Sequence, residues 1–326
     1  MKILIVCRKQ KGEPVSQFIL DQEEALNTLG HQVSYVTVKR GGLGGYFELY
    51  RELMKTLQET HPDIVHAHYG LCGLVANMQR KVPVVVTYPG SDVNNRKIRP
   101  LSVISMWLSK YNIFMSNPQL ANVRRFANPK KTEILRYGIS LDIFKPIDQK
   151  KATQLFTAAR PQEVNWKEGE KVVLFSSKFI REDKDPDLAR EAVRQVSQKR
   201  LKEGKSAVRL IQIQGDYTKE EMAWQMNMVD AGILTSKAEG SPQFTKEVMA
   251  CGTPIVCVNV GDVAEQLAGL EGCWVAKTRD PEELSELLEK ALDFGKTQGH
   301  QHIKDMHLDR VDIAQRLVEI YSKFVK

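Results

Sequence analysis

Short apolar runs alternate with amphipathic stretches along most of the chain. The runs "KILIVC", "VPVVVTY", "KVVLFSS" and "PIVCVN" are rich in Val, Ile and Leu and are too short to be helices. Continuous apolar strands of this kind are typical of parallel sheets that helices cover on both faces. The stretches between them, near 16–29, 46–60 and 186–199, carry apolar residues at helical spacing. The pattern predicts an α/β fold with doubly wound parallel sheets.

The alternation stops once and then restarts, which divides the chain. A polar, irregular run, "LDIFKPIDQKKATQ", separates two series of predicted strands. With 326 residues the chain is also longer than a single core usually organises. We predict a first domain over 1–155, a second over 156–305 and a C-terminal helix over 306–326. The last helix has apolar residues on one face, so we expect it to pack back toward the first domain.

Composition narrows the class of protein. With 42% apolar and 27% charged residues the chain has the balance of a globular protein. No apolar run approaches the roughly 20 residues of a membrane-spanning helix, and the first apolar run is too short for a signal peptide. The five cysteines form no C-x-x-C pair and several lie in strand-like runs. We therefore expect a cytoplasmic protein with buried thiols and no disulfide framework or zinc site.

The net charge of +7 is unevenly distributed. Residues 1–150 hold 21 Lys and Arg against 12 Asp and Glu, and the segment 80–136 holds eleven basic residues against two acidic ones. This distribution fits either a solvated basic surface or an anionic partner, and charge alone leaves both open. We expect no nucleic-acid partner.

The polar loops that directly follow predicted strands are the candidate ligand site. In open α/β sheets, ligands bind at the carboxyl ends of the strands. The stretches "HAHYG", "YPGSD", "SSKFIREDK" and "KAEGSPQ" all lie at such ends. These loops predict where a substrate is held.

Two carboxylates lie eight positions apart in "EGSPQFTKEVMACGTPIV". Glu239 precedes a helix predicted over 242–250, with Pro242 in its first turn, and Glu247 lies on that helix. The free N–H groups of a helix start favour a phosphate. The two acids would then accept hydrogen bonds from hydroxyl groups on either side of a diphosphate. The segment predicts a site for a nucleotide-sugar.

The ordered motifs resemble glycosyltransferase family 4, a family of retaining enzymes with the GT-B fold. The resemblance covers essentially the whole chain and rests on motifs that keep the family's order: "DIVHAHYGLCG", "VVVTYPGSDVN", "ILRYGISLDIFKP", "VLFSSKFIREDKDP", "MVDAGILTSKAEGSPQFTKEVMACGTPIV" and "NVGDVAEQL". It implies two Rossmann-like domains with a cleft between them. It also implies retaining transfer of a sugar from a nucleotide-sugar, in the synthesis of cell-surface polysaccharide or glycolipid. A dehydrogenase is disfavoured because no G-x-G-x-x-G follows "KILIVC".

The resemblance also implies roles for donor-side residues. Glu239 would bind hydroxyls of the donor sugar and Glu247 the ribose. Lys184, with Lys178 or its rival Arg181, would bind the diphosphate, and Glu239 and Lys184 would be catalytic together with Asp92. The loop with Gly12 would approach the diphosphate, and a cradle for the sugar and distal phosphate would comprise Gly240, Ser241, Pro242, Gln243 and Phe244. The UDP- or GDP-linked donor is a substrate, and no cofactor is expected.

The acceptor side is predicted at His68, Tyr69, Pro89 and Asp92. Pro89 stands where the family usually has a histidine, so a nucleotide-sugar-binding protein with weak or lost transfer is the alternative function. The pair His66 and His68 lacks a third metal ligand nearby, and "DKD" at 183–185 is a common tripeptide. We therefore expect a metal-independent enzyme with a sugar or a lipid-linked acceptor.

A basic amphipathic stretch over 96–111 has two interpretations. On a helix, Ile104, Trp107 and Leu108 share one face, and the basic residues Arg96, Lys97 and Arg99 cluster at its start. The pattern fits a helix that docks peripherally on anionic lipid at the inner face of a membrane. It equally fits a helix whose apolar face packs on the domain core.

Overall fold

The computed structural model describes residues 1–8, 15–167, 169–214 and 216–325, apart from the side chain of Ser91. The chain divides into two compact units. Unit 1 consists of Met1–Gly138 and Leu308–Lys326, and unit 2 of Ile139–His307. Each unit is organised around a parallel sheet of its own, as the alternating pattern predicts.

Unit 1 contains a six-stranded sheet in the order β2-β1-β3-β4-β5-β6. Its strands are β1 (Lys2–Arg8), β2 (Gln32–Val38), β3 (Ile64–His68), β4 (Val84–Tyr88), β5 (Tyr111–Phe114) and β6 (Thr132–Ile134). Chain order reverses between β1 and β3, so the carboxyl ends of these strands frame the crevice where open α/β sheets bind ligands. β3 and β4 are buried along their whole length.

Helices cover both faces of this sheet. They are α1 (Gln17–Thr28), α2 (Gly42–Thr60), α3 (Gly70–Met78), α4 (Ser91–Asn94), α5 (Arg99–Leu108), α6 (Asn117–Ala121) and, from the end of the chain, α14 (Arg310–Ser322). α2, α3 and α5 share a core with the strands through Leu53, Ala76 and Met106. α1 and α14 pack together and meet the other face at His66.

Unit 2 contains a five-stranded sheet in the order β11-β10-β9-β7-β8. Its strands are β7 (Lys171–Phe175), β8 (Val208–Gln212), β9 (Ala231–Leu234), β10 (Ile255–Val258) and β11 (Cys273–Ala276). Its helices are α7 (Gln149–Ala159), α8 (Pro186–Lys202), α9 (Lys219–Met228), α10 (Gln243–Ala250), α11 (Val263–Gln266), α12 (Pro281–Phe294) and α13 (Gly299–Asp305). α8 and α12 enclose one core against the central strands, with Val173, Ile233 and Leu288 fully buried.

The units divide between Gly138 and Ile139, whereas the sequence pattern divides the chain at 155/156. The polar run before α7 belongs to unit 2 because it is anchored on α9. The backbone N–H of Ile147 donates to the Asn227 side chain at 2.8 Å, and the Gln149 amide donates to the Met228 carbonyl at 3.0 Å. α7 itself packs along α9. A polar sequence can therefore belong to a domain's framework when its backbone groups find partners there.

The five cysteines are free thiols and all are buried. Burial raises the pKa of the Cys7 thiol to about 12. Across the described ranges, no helix combines the length and the apolar character needed to span a membrane.

Candidate functional site

The loops after β7 and β9 are joined at one edge of the unit 2 sheet. β7 and β9 are neighbours in the sheet, although β8 lies between them in sequence. The Thr235 hydroxyl, directly after β9, donates to the carbonyls of Lys184 and Asp185 at 2.9 and 2.8 Å. The backbone N–H of Lys237 donates to the Asp183 carbonyl at 2.9 Å. These bonds fix the two loops relative to each other.

Lys184 and Glu239 form an ion pair at this edge. The Lys184 ammonium donates to the Glu239 carboxylate, and the two side chains are only 17% and 14% exposed. Partial burial reduces solvent screening of both charges, so each group is held in place by the other. The structure thus brings together the predicted phosphate-binding cation and the predicted sugar-binding carboxylate.

The other basic candidates lie at the surface of the same loop. Arg181 is exposed and pairs with Asp183, with 2.9 Å between Nε and Oδ1. That bond raises the pKa of the Arg181 guanidinium. Lys178 is also exposed. Neither cation joins Lys184 and Glu239 in an ion pair, so the choice between them for the diphosphate stays a prediction.

The two acids of the "DKD" tripeptide are each engaged by an arginine. Asp183 pairs with Arg181, and the Asp185 carboxylate accepts from Arg279 at 2.7 Å. No group of three or more His, Cys, Asp or Glu side chains that could hold a metal occurs among the described residues.

α10 begins directly after the Glu239 loop. The helix runs over Gln243–Ala250, and Pro242 is its N-cap residue instead of lying in its first turn. Phe244 is buried near Gly232 of β9, which holds the helix start against the sheet. Glu247 lies in the second turn and is partly buried. The positive end of an eight-residue helix therefore lies next to the Lys184–Glu239 pair.

The chain that follows β10 holds residues 239–241 in place. Gly261 has a φ of +60°, and a Cβ atom there would lie 2.7 Å from the Gly240 carbonyl oxygen. The amide of Gln266, which is fully buried, donates to the Ser241 hydroxyl at 3.2 Å and to Asp262 at 2.7 Å. Residues 239–241 are thus held by a close backbone approach and by a buried amide.

Two serine hydroxyls near the loops keep hydrogen-bonding capacity. The Oγ atoms of Ser176 and Ser236, at the ends of β7 and β9, are buried and have no hydrogen-bond partner within the part of the chain that the structure describes. Buried polar groups are normally satisfied. Both hydroxyls therefore keep an unused hydrogen-bonding position at the edge of the sheet where β7 and β9 end.

In unit 1, Asp92 joins two strand ends. Its carboxylate accepts from the backbone N–H of Gly70 at 2.8 Å and of Gly90 at 3.1 Å. The residue is only 4% exposed, and burial raises the pKa of its carboxyl to about 6 although these backbone bonds oppose the shift. Its oxygens thus hold the loops that follow β3 and β4, and a catalytic role for Asp92 stays a prediction.

His68 is a neutral group in this structure. It is fully buried, and its Nδ1 lies 3.0 Å from the Tyr137 hydroxyl. Burial lowers the pKa of the imidazole to about 3, so it carries no charge near neutral pH. Its Nε2 is buried without a partner among the described side chains and backbone groups. His68 therefore offers no positive charge to a phosphate near neutral pH.

Tyr69 and Pro89 complete the predicted acceptor side. Tyr69 follows β3 with a φ of +77°, a strained value for a residue with a side chain. The Pro89 carbonyl accepts from the Gln119 amide at 3.0 Å. His68, Tyr69, Pro89 and Asp92 thus lie at the ends of two neighbouring strands, as the sequence predicts.

Comparisons with known proteins identify the family of this chain. Residues 4–143 match the family model described as Glycosyltransferase Family 4, and residues 170–293 match Glycosyl transferases group 1. Together the two matches cover every strand of both parallel sheets apart from the first two residues of β1. The chain belongs to glycosyltransferase family 4.

One curated relative and two solved structures are similar to this family 4 chain. It is 26% identical over 239 residues to D-inositol 3-phosphate glycosyltransferase of Mycobacterium marinum, a match that covers 62% of this chain and 49% of the relative, about half its length. Sucrose-phosphate synthase from Thermosynechococcus elongatus is similar with a TM-score of 0.78 at 16% identity, over 98% of both chains. HepE of Anabaena in complex with UDP gives 0.72 at 17% identity, over 99% of this chain and 100% of the other. These likenesses show the GT-B fold.

Several residues of the family 4 chain were not predicted as part of the site. Gly261 and Gln266 lie in "NVGDVAEQL", a motif to which the sequence assigns no role. Arg279 donates to the carbonyls of Thr235 and Ser236 at 2.7 and 3.0 Å, and no local pattern marks it. Arg8, at the end of β1, is close enough to oppose the rise in the pKa of Tyr69 that burial causes. Gly12, predicted near the donor, lies outside the described residues.

Proposed function

We propose that this family 4 chain transfers a glycosyl group from a nucleotide-sugar to an acceptor hydroxyl with retention of the anomeric configuration. The observation that carries the proposal is the Lys184–Glu239 pair beside the start of α10. A cation, a carboxylate and a helix start at one edge of a sheet match the diphosphate and the sugar hydroxyls of such a donor. The name of the Mycobacterium marinum relative and the UDP bound by HepE support the same class of substrate.

Each donor-side residue receives a role in this proposal. Lys184, with Lys178 or Arg181, binds the diphosphate, and Glu239 accepts hydrogen bonds from the donor sugar. Glu247 binds the ribose, and the backbone of 240–244 cradles the sugar and the distal phosphate. Binding of the donor would exchange part of the Lys184–Glu239 ion pair for contacts with phosphate and hydroxyl groups.

The proposed reaction needs no enzymatic nucleophile. The acceptor oxygen forms a bond to the anomeric carbon on the face from which the diphosphate leaves, and the bond from that carbon to the phosphate oxygen breaks. The acceptor proton passes to the departing phosphate. Lys184 and the N–H groups of α10 stabilise the charge that develops on the diphosphate, which is the largest contribution expected in such a site. Asp92 and His68 serve as buried positioning and hydrogen-bonding groups.

The acceptor is proposed to be a sugar hydroxyl, free or lipid-linked, in the synthesis of cell-surface polysaccharide or glycolipid on the cytoplasmic side. The acceptor-side residues at the ends of β3 and β4 would bind it. The second candidate is a nucleotide-sugar-binding protein without transfer, which Pro89 favours because no imidazole is present at that position.

A panel of UDP- and GDP-linked sugars tests the proposal. We expect one donor to release free nucleotide slowly in water and faster with a suitable acceptor, and the product's anomeric configuration, read by NMR coupling constants, to equal the donor's. Glu239→Ala should lower turnover strongly. Donor binding without release would favour the second candidate, and an inverted product would contradict retention.

Divalent metal is expected to be dispensable in this proposal. Lys184 and the α10 start supply positive charge at the diphosphate, and the acids of 183–185 are engaged by arginines. Activity after treatment with EDTA should stay close to that of untreated enzyme. A loss that Mg²⁺ or Mn²⁺ restores would show that the metal carries the leaving group instead.

A further inference from the structure

α5 exposes an apolar ridge on the surface of unit 1. Leu101, Ile104 and Trp107 are 41%, 40% and 57% exposed, while Val103 and Met106 on the other side of the helix are buried in the core. The helix therefore has two apolar faces, and packing within the domain covers only one of them. The side chains of the ridge follow helical spacing and form one continuous strip.

The end of α5 leads into a basic pocket. The pocket has a volume of about 510 Å³ and lies at the amino ends of β4 and β5, away from the carboxyl-end loops with His68 and Asp92. Its lining includes four exposed cations and no carboxylate, with two apolar residues between them: Arg80, Lys81, Lys110, Lys323, Leu108 and Phe324.

The ridge and the pocket are parts of one surface. Leu108 follows Trp107 on α5 and lines the pocket. The Lys131 ammonium donates to the carbonyls of Trp107 at 3.1 Å and Ser109 at 3.0 Å, which joins the strip to the pocket rim. Burial and the nearby charge of Lys110 lower the pKa of Lys131. Cations are therefore crowded where the apolar strip ends.

The charge of the surroundings has the same sign. Unit 1 holds 23 Lys and Arg against 13 Asp and Glu, which gives a net charge of +10. Unit 2 holds 24 Lys and Arg against 27 Asp and Glu, which gives a net charge of −3. Glu133, whose pKa the charge of Lys323 helps to lower, is engaged by Arg316 at 2.7 Å. An occupant of this surface must therefore be anionic, and it must also cover apolar side chains.

We propose that the α5 ridge and the adjoining basic pocket form a docking surface for anionic lipid, with headgroup phosphates in the pocket and Leu101, Ile104 and Trp107 in the boundary between headgroups and acyl chains. Apolar side chains beside a cluster of cations are the combination that binds an interfacial helix to an anionic bilayer. This inference rests on the proposed function only in that a lipid-linked acceptor would bring the protein to a membrane. Its test needs neither donor nor acceptor.

The test is sedimentation of the full chain with vesicles of phosphatidylcholine alone or mixed with phosphatidylglycerol, at low and high salt. We expect binding to the anionic vesicles only, and weaker binding at high salt. The triple variant Arg80→Gln, Lys81→Gln, Lys110→Gln should lower the partition coefficient on the order of 100-fold. The double variant Leu101→Ser, Ile104→Ser should lower binding while its salt dependence stays that of the parent.

A matched control separates this surface from net charge. Lys150→Gln, Lys199→Gln, Lys202→Gln removes three exposed cations from unit 2 and should leave vesicle binding close to that of the parent. An equal loss in the two triple variants, or no binding to anionic vesicles at low salt, would overturn the proposal. Glu239→Ala should bind vesicles like the parent, so failure of docking and failure of transfer are distinguishable.

Discussion

Asp92 is a single residue whose burial has a measurable consequence. Its carboxyl has a pKa of about 6 in the folded chain, above the ordinary aspartate value of 3.8, because burial disfavours the charged form more than the backbone N–H groups favour it. Between these values the folded state holds a proton that the unfolded state has lost. The stability contributed by Asp92 therefore decreases as pH rises from about 4 to about 6.

Asp92→Asn should remove this pH dependence. A shift of about two pKa units corresponds to about 3 kcal/mol, so the parent should lose roughly that much relative to the variant between pH 4 and pH 7. Urea unfolding of both proteins across this range measures the difference. Parallel stability profiles would show that the Asp92 carboxyl titrates alike in the folded and unfolded chains.

Among the elements, the Glu239 loop depends on the loop that follows β10. At Gly261 a Cβ atom would lie 2.7 Å from the Gly240 carbonyl oxygen, whereas at Gly269, with a similar positive φ of +77°, nothing lies within 4 Å. Gly269→Ala is therefore a matched control for the backbone strain of Gly261→Ala.

Both alanine variants should lose about 1–2 kcal/mol of stability because each places a side chain in the left-handed region. Only Gly261→Ala should also displace residues 239–241, and we expect it to lower donor turnover on the order of tenfold or more. Chemical denaturation and initial rates check the two parts. Equal donor turnover in both variants would mean that the Gly240 carbonyl can shift without displacing the site residues.

The sequence predicts the helices and strands themselves better than it predicts which of them lie side by side. Alternating apolar runs indicate two parallel sheets, and the C-terminal helix predicted over 306–326 is α14, Arg310–Ser322, in the structure. β11, which covers "CWVA", is absent from the prediction. α2 begins at Gly42 and not near Tyr46, since tertiary packing overrides the low helix propensity of a glycine-rich start.

The Lys184–Glu239 pair shows the limit of local patterns at the site. Spacing in the sequence marks both residues as candidates, but their contact follows from the placement of β9 beside β7, which skips β8. The supporting bonds of Gln266 and Arg279 likewise come from chain segments distant in sequence. In α5, the sequence predicts an apolar face, and only the packing shows that Ile104 and Trp107 point outward.

At the scale of the whole molecule, the last helix completes the first unit. α14 attaches to the sheet through a buried contact, in which the Tyr321 hydroxyl lies 2.5 Å from His66 Nδ1, and through a surface ion pair between Arg316 and Glu133. Tyr321 is fully buried, whereas the Arg316 side chain is 40% exposed. The two contacts should therefore differ in their effect on stability.

Tyr321→Phe should lower the free energy of unfolding by about 1–3 kcal/mol, because it removes a buried hydrogen bond. Arg316→Ala, on the same helix, should cost less than about 1 kcal/mol since solvent screens its ion pair. In Tyr321→Phe, hydrogen exchange should become faster in β3 and α14 and stay unchanged in β7 and β9. The reverse order of the two variants would place the anchor of α14 at the surface.

The central claim is that the Lys184–Glu239 edge of unit 2 binds a nucleoside diphosphate through its phosphates. Calorimetric titration with UDP and GDP, and with uridine and guanosine, tests it on the parent, on Lys184→Ala and on Asp187→Ala, an exposed substitution at the start of α8 that serves as control. Lys184→Ala should weaken binding of the diphosphate by about 1.5–3 kcal/mol, the contribution of a hydrogen bond to a charged group, and should leave binding of the bare nucleoside nearly unchanged. The control should bind both ligands like the parent. Equal losses for diphosphate and nucleoside in Lys184→Ala, or no loss at all, would contradict the account.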